Sequence, residues 1–184
     1  MRVISGARRG ANLFCPETDE IRPTTDRVKE NIFNLIQGEV SGRSVLDLFA
    51  GSGALGIEAL SRGAKACVFV DCGKASAGAV RANLKKLGFE EKAQVIEKDY
   101  KTFLESRGGN FSLVFLDPPY HSGYADKAIG IMINKDLLAE GATVIVETDS
   151  DEDVAGVGLT LRTERIYGRV KVRVFEKSRE DRGL

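Results

Sequence analysis

A chain of 184 residues with 42% hydrophobic residues carries enough apolar mass for one well-filled core and too little for two. Lys+Arg and Asp+Glu both number 27, so a net charge of zero excludes a bulk attraction to polyanions and leaves only local patches to weigh. No apolar run approaches the ~20 residues of a membrane span, and the opening Met1-Arg2-Val3-Ile4-Ser5-Gly6 lacks the apolar stretch of a signal peptide. Cys15, Cys67 and Cys72 form neither an even disulfide set nor a metal-ligand pattern, so a reduced, cytoplasmic protein without a metal is expected.

The charges are unevenly placed. Residues 1–15 hold Arg2, Arg8 and Arg9 with no acid, whereas 140–153 hold Glu140, Glu147, Asp149, Asp151, Glu152 and Asp153 with no base. From 162 to 184 eight basic residues face four acidic ones, so a basic beginning and end would form a polyanion-binding face if they met in space.

In chain order, Val3-Ile4 and Leu13-Phe14 flank a polar stretch with Arg8 and Arg9 near its tip, which predicts a short hairpin or arm exposed to a partner. After Arg22-Pro23, Thr24 or Thr25 N-caps a helix whose apolar positions Val28, Ile32, Leu35 and Ile36 fall at helical spacing, with Gly38 as its stop. From residue 44 strands and helices alternate: strand 45–49 and helix 54–62, strand 66–71 and helix 75–87, strand 93–97 and a helical turn at 102–106, strand 111–117 and a helix within 125–139, then strand 142–148. Near-continuous apolar strands joined by helices predict a parallel sheet covered on both faces. Segments 159–166 and 169–175 alternate apolar and polar residues around Tyr167-Gly168 and predict an antiparallel hairpin completing one side of the sheet. The expected organisation is a single domain over 1–184, with an arm and helix in 1–43 and an α/β core in 44–184. Asp47, Asp71, Asp99 and Asp117 all fall at or just past strand carboxyl ends, where open parallel sheets bind ligands.

Two motifs carry the chemistry. The stretch Leu46-Asp47-Leu48-Phe49-Ala50-Gly51-Ser52-Gly53-Ala54-Leu55-Gly56 places a G-x-G-x-x-G between strand and helix, with Asp71 placed to accept ribose hydroxyls. Asp47 would repel a dinucleotide pyrophosphate and attract a sulfonium ligand bearing a free ammonium, which favours S-adenosylmethionine over NAD. Asp99 is a further candidate, for the adenine amine. The second motif, Asp117-Pro118-Pro119-Tyr120, follows the apolar run 111–116. Two prolines remove two backbone donors, Asp117 and the Pro118 carbonyl supply acceptors for the two hydrogens of a planar amine, and Tyr120 supplies a stacking face. This set suits methyl transfer to a nucleobase amine, because it favours the pyramidal transition-state nitrogen over the planar ground state. His121 is read as a polar loop residue ahead of a general base, Tyr124 as packing, Cys67 as core, Cys72 as lacking a redox partner, and Glu58 as a solvated or capping charge.

Taken with Arg22-Pro23-Thr24-Thr25-Asp26-Arg27-Val28, residues 46–62 followed by Gly63-Ala64, and Gly168-Arg169-Val170, these motifs resemble the RsmD-type bacterial 16S ribosomal RNA guanine-N2 methyltransferases over nearly the whole chain. The resemblance implies a Rossmann-like class I S-adenosylmethionine-dependent methyltransferase fold: a mostly parallel seven-stranded sheet with an antiparallel C-terminal hairpin and a short N-terminal arm. It implies methylation of a guanine exocyclic amine in 16S rRNA during small-subunit assembly. Site residues under this reading are Asp117, Pro118 and Tyr120 for catalysis; Asp47, Ala50, Gly51, Ser52, Gly53, Asp71 and Asp99 for the cofactor; and Arg8, Arg9, Pro119 and Tyr120 for the substrate. The enzyme is expected to be monomeric, and the 22–27 segment to pack near cofactor and target base. Asp71 stands where Glu is common in the family, and Tyr120 where Phe also occurs. The alternatives are a DNA adenine-N6 methyltransferase, suggested by the Asp117 tetrapeptide, and a noncatalytic nucleotide-binding module, suggested by the Gly loop alone.

Overall fold

The protein is described as a computed structural model over residues 1–16 and 25–178. Helix α1 (Asp26–Leu35) is capped by the Thr25 hydroxyl, which accepts from Val28 N–H at 3.3 Å. Of the 22–27 segment, residues 22–24 lie outside the described residues. Then follow β1 (Ser44–Leu48), α2 (Ala54–Ser61), β2 (Ala66–Asp71), α3 (Lys74–Leu87), β3 (Ala93–Glu97), α4 (Tyr100–Ser106), β4 (Phe111–Leu116), α5 (Tyr124–Asn134), β5 (Leu138–Asp149), β6 (Thr160–Tyr167) and β7 (Val170–Glu176).

The seven strands lie in the order β3-β2-β1-β4-β5-β7-β6. Strands β1 to β5 are mutually parallel, and β7 runs antiparallel between β5 and β6. The order reverses at β1, whose neighbours are β2 and β4, so the ligand crevice opens between the carboxyl ends of β1 and β4. Strand alternation divides the core: Val45, Phe69 and Phe115 join α1, α2 and α3 on one face, while Leu46, Leu48, Val114 and Leu116 join α4 and α5 on the other.

Three local expectations are corrected. Strand β5 begins at Leu138, ahead of residue 142, because Leu138 pairs with Phe111 and the chain bulges through Gly141 (φ 68°) before Thr143 meets Leu113. Helix α4 begins at Tyr100 because the Asp99 carboxylate caps it, accepting from Lys101 and Thr102 N–H at 3.0 and 3.1 Å. The third concerns the arm, which is docked against the body. A bridge between Arg2 and Asn12 closes it, and Ile4 and Ser5 N–H donate to the two Glu58 oxygens at 2.8 and 3.0 Å. Asn83 of α3 bonds both the N–H and the carbonyl of Phe14. Gly6 is obligatory there: a Cβ on it would sit 1.9 Å from the Ser61 carbonyl oxygen.

Glu58 is therefore no solvated charge. It is fully buried, 2.8 Å from Arg62 Nε and 3.3 Å from the equally buried Lys29 Nζ, which also donates to the Arg2 carbonyl. Burial lowers the Lys29 pKa, and Glu58 opposes that effect.

Candidate active site

The cofactor-type loop starts where β1 ends. Phe49 takes a positive φ of 68°, unusual for a side chain of its size, and Gly51 and Gly53 follow at 54° and 79°. Ala50 N–H donates to the Val70 carbonyl (3.0 Å), which pins the loop to β2, and Gly53 starts α2 in the left-handed region. Gly56 serves a different purpose. A Cβ there would lie 2.3 Å from the Phe69 ring, so its absence lets α2 press onto β2.

Three of the predicted carboxylates are already tied to backbone. Asp71 accepts from Gly51 N–H (2.9 Å) with one oxygen and from Gly73 N–H (2.8 Å) with the other, joining the Gly loop to the β2–α3 turn. Each oxygen keeps a lone pair for a ribose hydroxyl. Asp99 commits one oxygen to the α4 cap. Asp47, 2% exposed, accepts from Gly56 N–H at 2.9 Å. Burial pushes its pKa up to about 8; the Gly56 bond opposes this, and Asp117 and Asp71 add to it. A buried acid in that condition gains from a cationic ligand nearby. Ser52 is buried, and its carbonyl accepts from Asn83, so the loop is also fastened to α3.

At the neighbouring strand end, β4 runs into Asp117 and Tyr120, both half-buried, with Pro118 buried and Pro119 exposed. The register pairs Leu48 with Leu116 and Leu116 with Val146, which sets the corner beside the Gly loop on one side and β5 on the other. Asp47, Asp117 and Glu147 are thus neighbours at one sheet end, and the Asp117 charge acts on both of the others. Glu147 drew attention in the sequence only as part of an acidic run. Its signal was an acid directly following Val144-Ile145-Val146 in a central strand.

An aromatic group bridges the two halves. Phe49 from the Gly loop lies 5.0 Å from Tyr100 and stacks at 6.2 Å and 14° with Tyr124, the residue read as packing; Tyr100 and Tyr124 are 5.0 Å apart. Phe49 and Tyr100 were passed over in the sequence, although each adjoins a motif residue. His121 has its N–H on Glu152 (2.8 Å) and its imidazole 3.6 Å from Asp151, which ties it to the acidic loop after β5. Among the described residues, one grouping, His121, Asp149 and Asp151, has metal-ligand proximity; Asp149 in it is already held by Arg169 (3.1 Å) and Ser150 N–H.

Arg8 and Arg9 diverge. The Arg8 Nε donates to the Leu87 carbonyl at 2.6 Å, and its guanidinium lies over Phe89. Arg9 instead lines a cleft of about 410 Å³ between the arm and α1, together with Arg2 and Arg27 and the acids Asp26 and Glu30, with Arg2 Nε 3.5 Å from Asp26. This cleft is separate from the Asp117 corner.

A sheet of order 3-2-1-4-5-7-6, with a glycine loop after its first strand and an Asp-Pro-Pro-Tyr corner after its fourth, defines an S-adenosylmethionine-dependent methyltransferase of class I. The family model described as Conserved hypothetical protein 95 matches residues 1–176, and the chain belongs to that family. It is 37% identical over 180 residues to the Ribosomal RNA small subunit methyltransferase D of Haemophilus influenzae, covering 96% of this chain and 93% of the relative. It is 39% identical over 182 residues to YlbH of Bacillus subtilis, covering 96% and 99%. The solved structure of yhhF from Escherichia coli superposes with a TM-score of 0.87 at 33% identity, covering 98% of this chain and 99% of that one.

Proposed function

We propose that this protein, acting as a monomeric single domain in the cytoplasm, methylates the exocyclic N2 amine of a guanine in 16S rRNA within the assembling small subunit. The observation that carries the reading is the juxtaposition of Asp47 and Asp117 at the ends of adjacent strands β1 and β4. The residues present fit the cofactor: a loop bent by positive-φ glycines for close backbone approach, a buried acid at Asp47 that a cation would relieve, and oriented acceptors at Asp71 and Asp99. S-adenosylmethionine supplies an electrophilic methyl group on a sulfonium.

The protein's part is orientation and charge. Asp117 accepts one amine hydrogen and the Pro118 carbonyl the other, while Tyr120 and Pro119 hold the base plane. The N2 lone pair thereby turns out of the ring and toward the methyl carbon. With the donor held by the Gly51–Gly53 loop, Asp47, Asp71 and Asp99, its methyl group would be supplied to that lone pair, and Asp117 and the Pro118 carbonyl would hold the amine hydrogens until the proton leaves nitrogen. Backbone phosphates are held by Arg9 with Arg2 and Arg27 in the arm cleft, and Arg8 adds charge from the other side of the arm.

The test is incubation with methyl-labelled S-adenosylmethionine and one of three substrates: plasmid DNA, naked ribosomal RNA, or small subunits lacking the modification. Label in the RNA or subunits, recovered as N2-methylguanosine, is expected. Label in DNA alone, or binding of NAD in calorimetry without binding of S-adenosylmethionine, would contradict the reading.

A further inference from the structure

The turn that follows the Asp117 corner is held from a distance by Glu152. Ser122 N–H donates to the Pro119 carbonyl at 3.3 Å, so Pro119–Ser122 form a turn with Tyr120 and His121 at its two central positions. His121 sits in it at a φ of 57°, in the left-handed region where the third position of a turn ordinarily carries glycine. A bulky residue persists there only when its surroundings fix the backbone. The fixing contact is the His121 N–H, which donates to Glu152 Oε2 at 2.8 Å. Glu152 is itself anchored from two strands. Its N–H donates to the Asp149 carbonyl at the end of β5 (3.1 Å), and its carbonyl accepts from Lys171 Nζ (3.2 Å) and Arg173 Nη2 (3.0 Å) of β7. Both cations are buried, and both also reach Asp153 Oδ1, at 3.2 and 2.7 Å. Arg173 is fixed further by Glu164 of β6 at 2.6 Å and by the Thr148 hydroxyl at 3.3 Å. The same loop ties the start of α5, because Asp126 accepts from Ala155 and Gly156 N–H at 3.2 and 3.0 Å. The connection from His121 to Asp126 is thus gripped at both ends by the loop after β5.

We propose that Glu152 is a positioning residue for the target base: by holding the His121 N–H it keeps the Pro119–Ser122 turn in the form that presents Tyr120 to the base plane. The C-terminal strands, through Lys171 and Arg173, thereby set the stacking side of the site from outside it. The inference rests on the methyltransferase reading above. It asks for no proton or bond transfer at Glu152, whose carboxylate accepts a backbone N–H throughout the reaction. His121 enters through its backbone alone, so its imidazole is dispensable.

The experiment compares wild type, Glu152→Gln, Glu152→Ala, His121→Gly and the double variant Glu152→Ala/His121→Gly in kcat on the RNA substrate, S-adenosylmethionine affinity and melting temperature. Glu152→Ala should lose roughly ten- to a hundredfold in kcat, the loss that a small misplacement of a reactant produces, with cofactor affinity unchanged. Glu152→Gln keeps an acceptor and should stay within about threefold of wild type. His121→Gly should turn over like wild type. In the double variant it should recover most of the activity lost in Glu152→Ala, because glycine takes the positive φ unaided. In a cycle with Tyr120→Ala, adding Glu152→Ala should cost less than about twofold further, since the contact acts through that side chain. A contribution to stability alone would track melting temperature and would not be rescued by His121→Gly. Wild-type turnover in Glu152→Ala, lost turnover in His121→Gly, no recovery in the double variant, or full additivity with Tyr120→Ala would overturn the proposal. Should Glu152→Ala fail to fold, hydrogen exchange of wild type decides: the His121 amide should be protected about tenfold or more relative to an unstructured peptide, and exchange at the peptide rate would overturn it. Failure of the methyltransferase reading is distinguishable, because wild type would then label none of the RNA substrates, and this proposal would fall with it.

Discussion

Glu58 and Glu147 are both buried acids, 0% and 4% exposed, and the fold treats them in opposite ways. Glu58 receives two backbone N–H groups from the arm and stands within ion-pair distance of Lys29 and Arg62. Among the described residues Glu147 Oε2 has no hydrogen-bond partner, and the Asp117 charge acts on this side chain. A carboxylate saturated with donors fastens pieces of chain together; a buried carboxyl with an unpartnered oxygen costs stability. The same division separates Asp71, held by two glycine N–H groups, from Asp47, whose pKa is pushed up to about 8 by burial.

The sharpest way to break the contrast is Glu58→Ala. It strands Lys29 without its counter-ion and frees the arm, so about 3–5 kcal/mol of stability should be lost; a urea melt within 1 kcal/mol of wild type would show that the buried pair is not the fastening. Asp47→Asn comes next. Because the native Asp47 pKa lies above its unfolded value of 3.8, the folded chain keeps a proton that the unfolded chain releases. This contribution is full below that lower value and is lost as pH rises toward about 8. The asparagine variant can still accept from Gly56 and should lose less stability than wild type between pH 5 and pH 8. Equal losses in denaturant melts at the two pH values would count against a protonated Asp47. The smallest effects belong to the arm cleft: Arg9→Ala and Arg27→Ala should each lower the salt-dependence slope of RNA binding by about 1. Arg8→Ala should lower it less, since that guanidinium is engaged with Leu87 and Phe89.

What could be seen in the sequence follows the range of the forces involved. The strands around Asp47, Asp71 and Asp117 declare themselves because each is a local apolar run ending in an acid, and the Gly51–Gly53 turn because its backbone geometry needs those residues at those positions. The docking of the arm does not, since the bonds from Ile4 and Ser5 to Glu58 join residues more than 50 positions apart. Gly141 looks like the start boundary of a strand but is a bulge inside one, a distinction set by the pairing of Leu138 with Phe111. Arg8 and Arg9 are adjacent in sequence, yet the turn at Gly6–Arg8 sends them to different surfaces. The placing of Glu147 on the strand next to Asp117 emerges only from sheet order, because β5 becomes the neighbour of β4 through a crossover.

In the proposed function the methyl donor and the target amine occupy different halves of the crevice. Asp117→Ala addresses this separation directly, with calorimetry for S-adenosylmethionine and turnover on undermethylated small subunits measured on the same preparation. Cofactor affinity should match wild type while turnover falls by about 10²–10³, the usual loss on removing a group that acts in the transition state. Undiminished methylation in that variant would contradict the account.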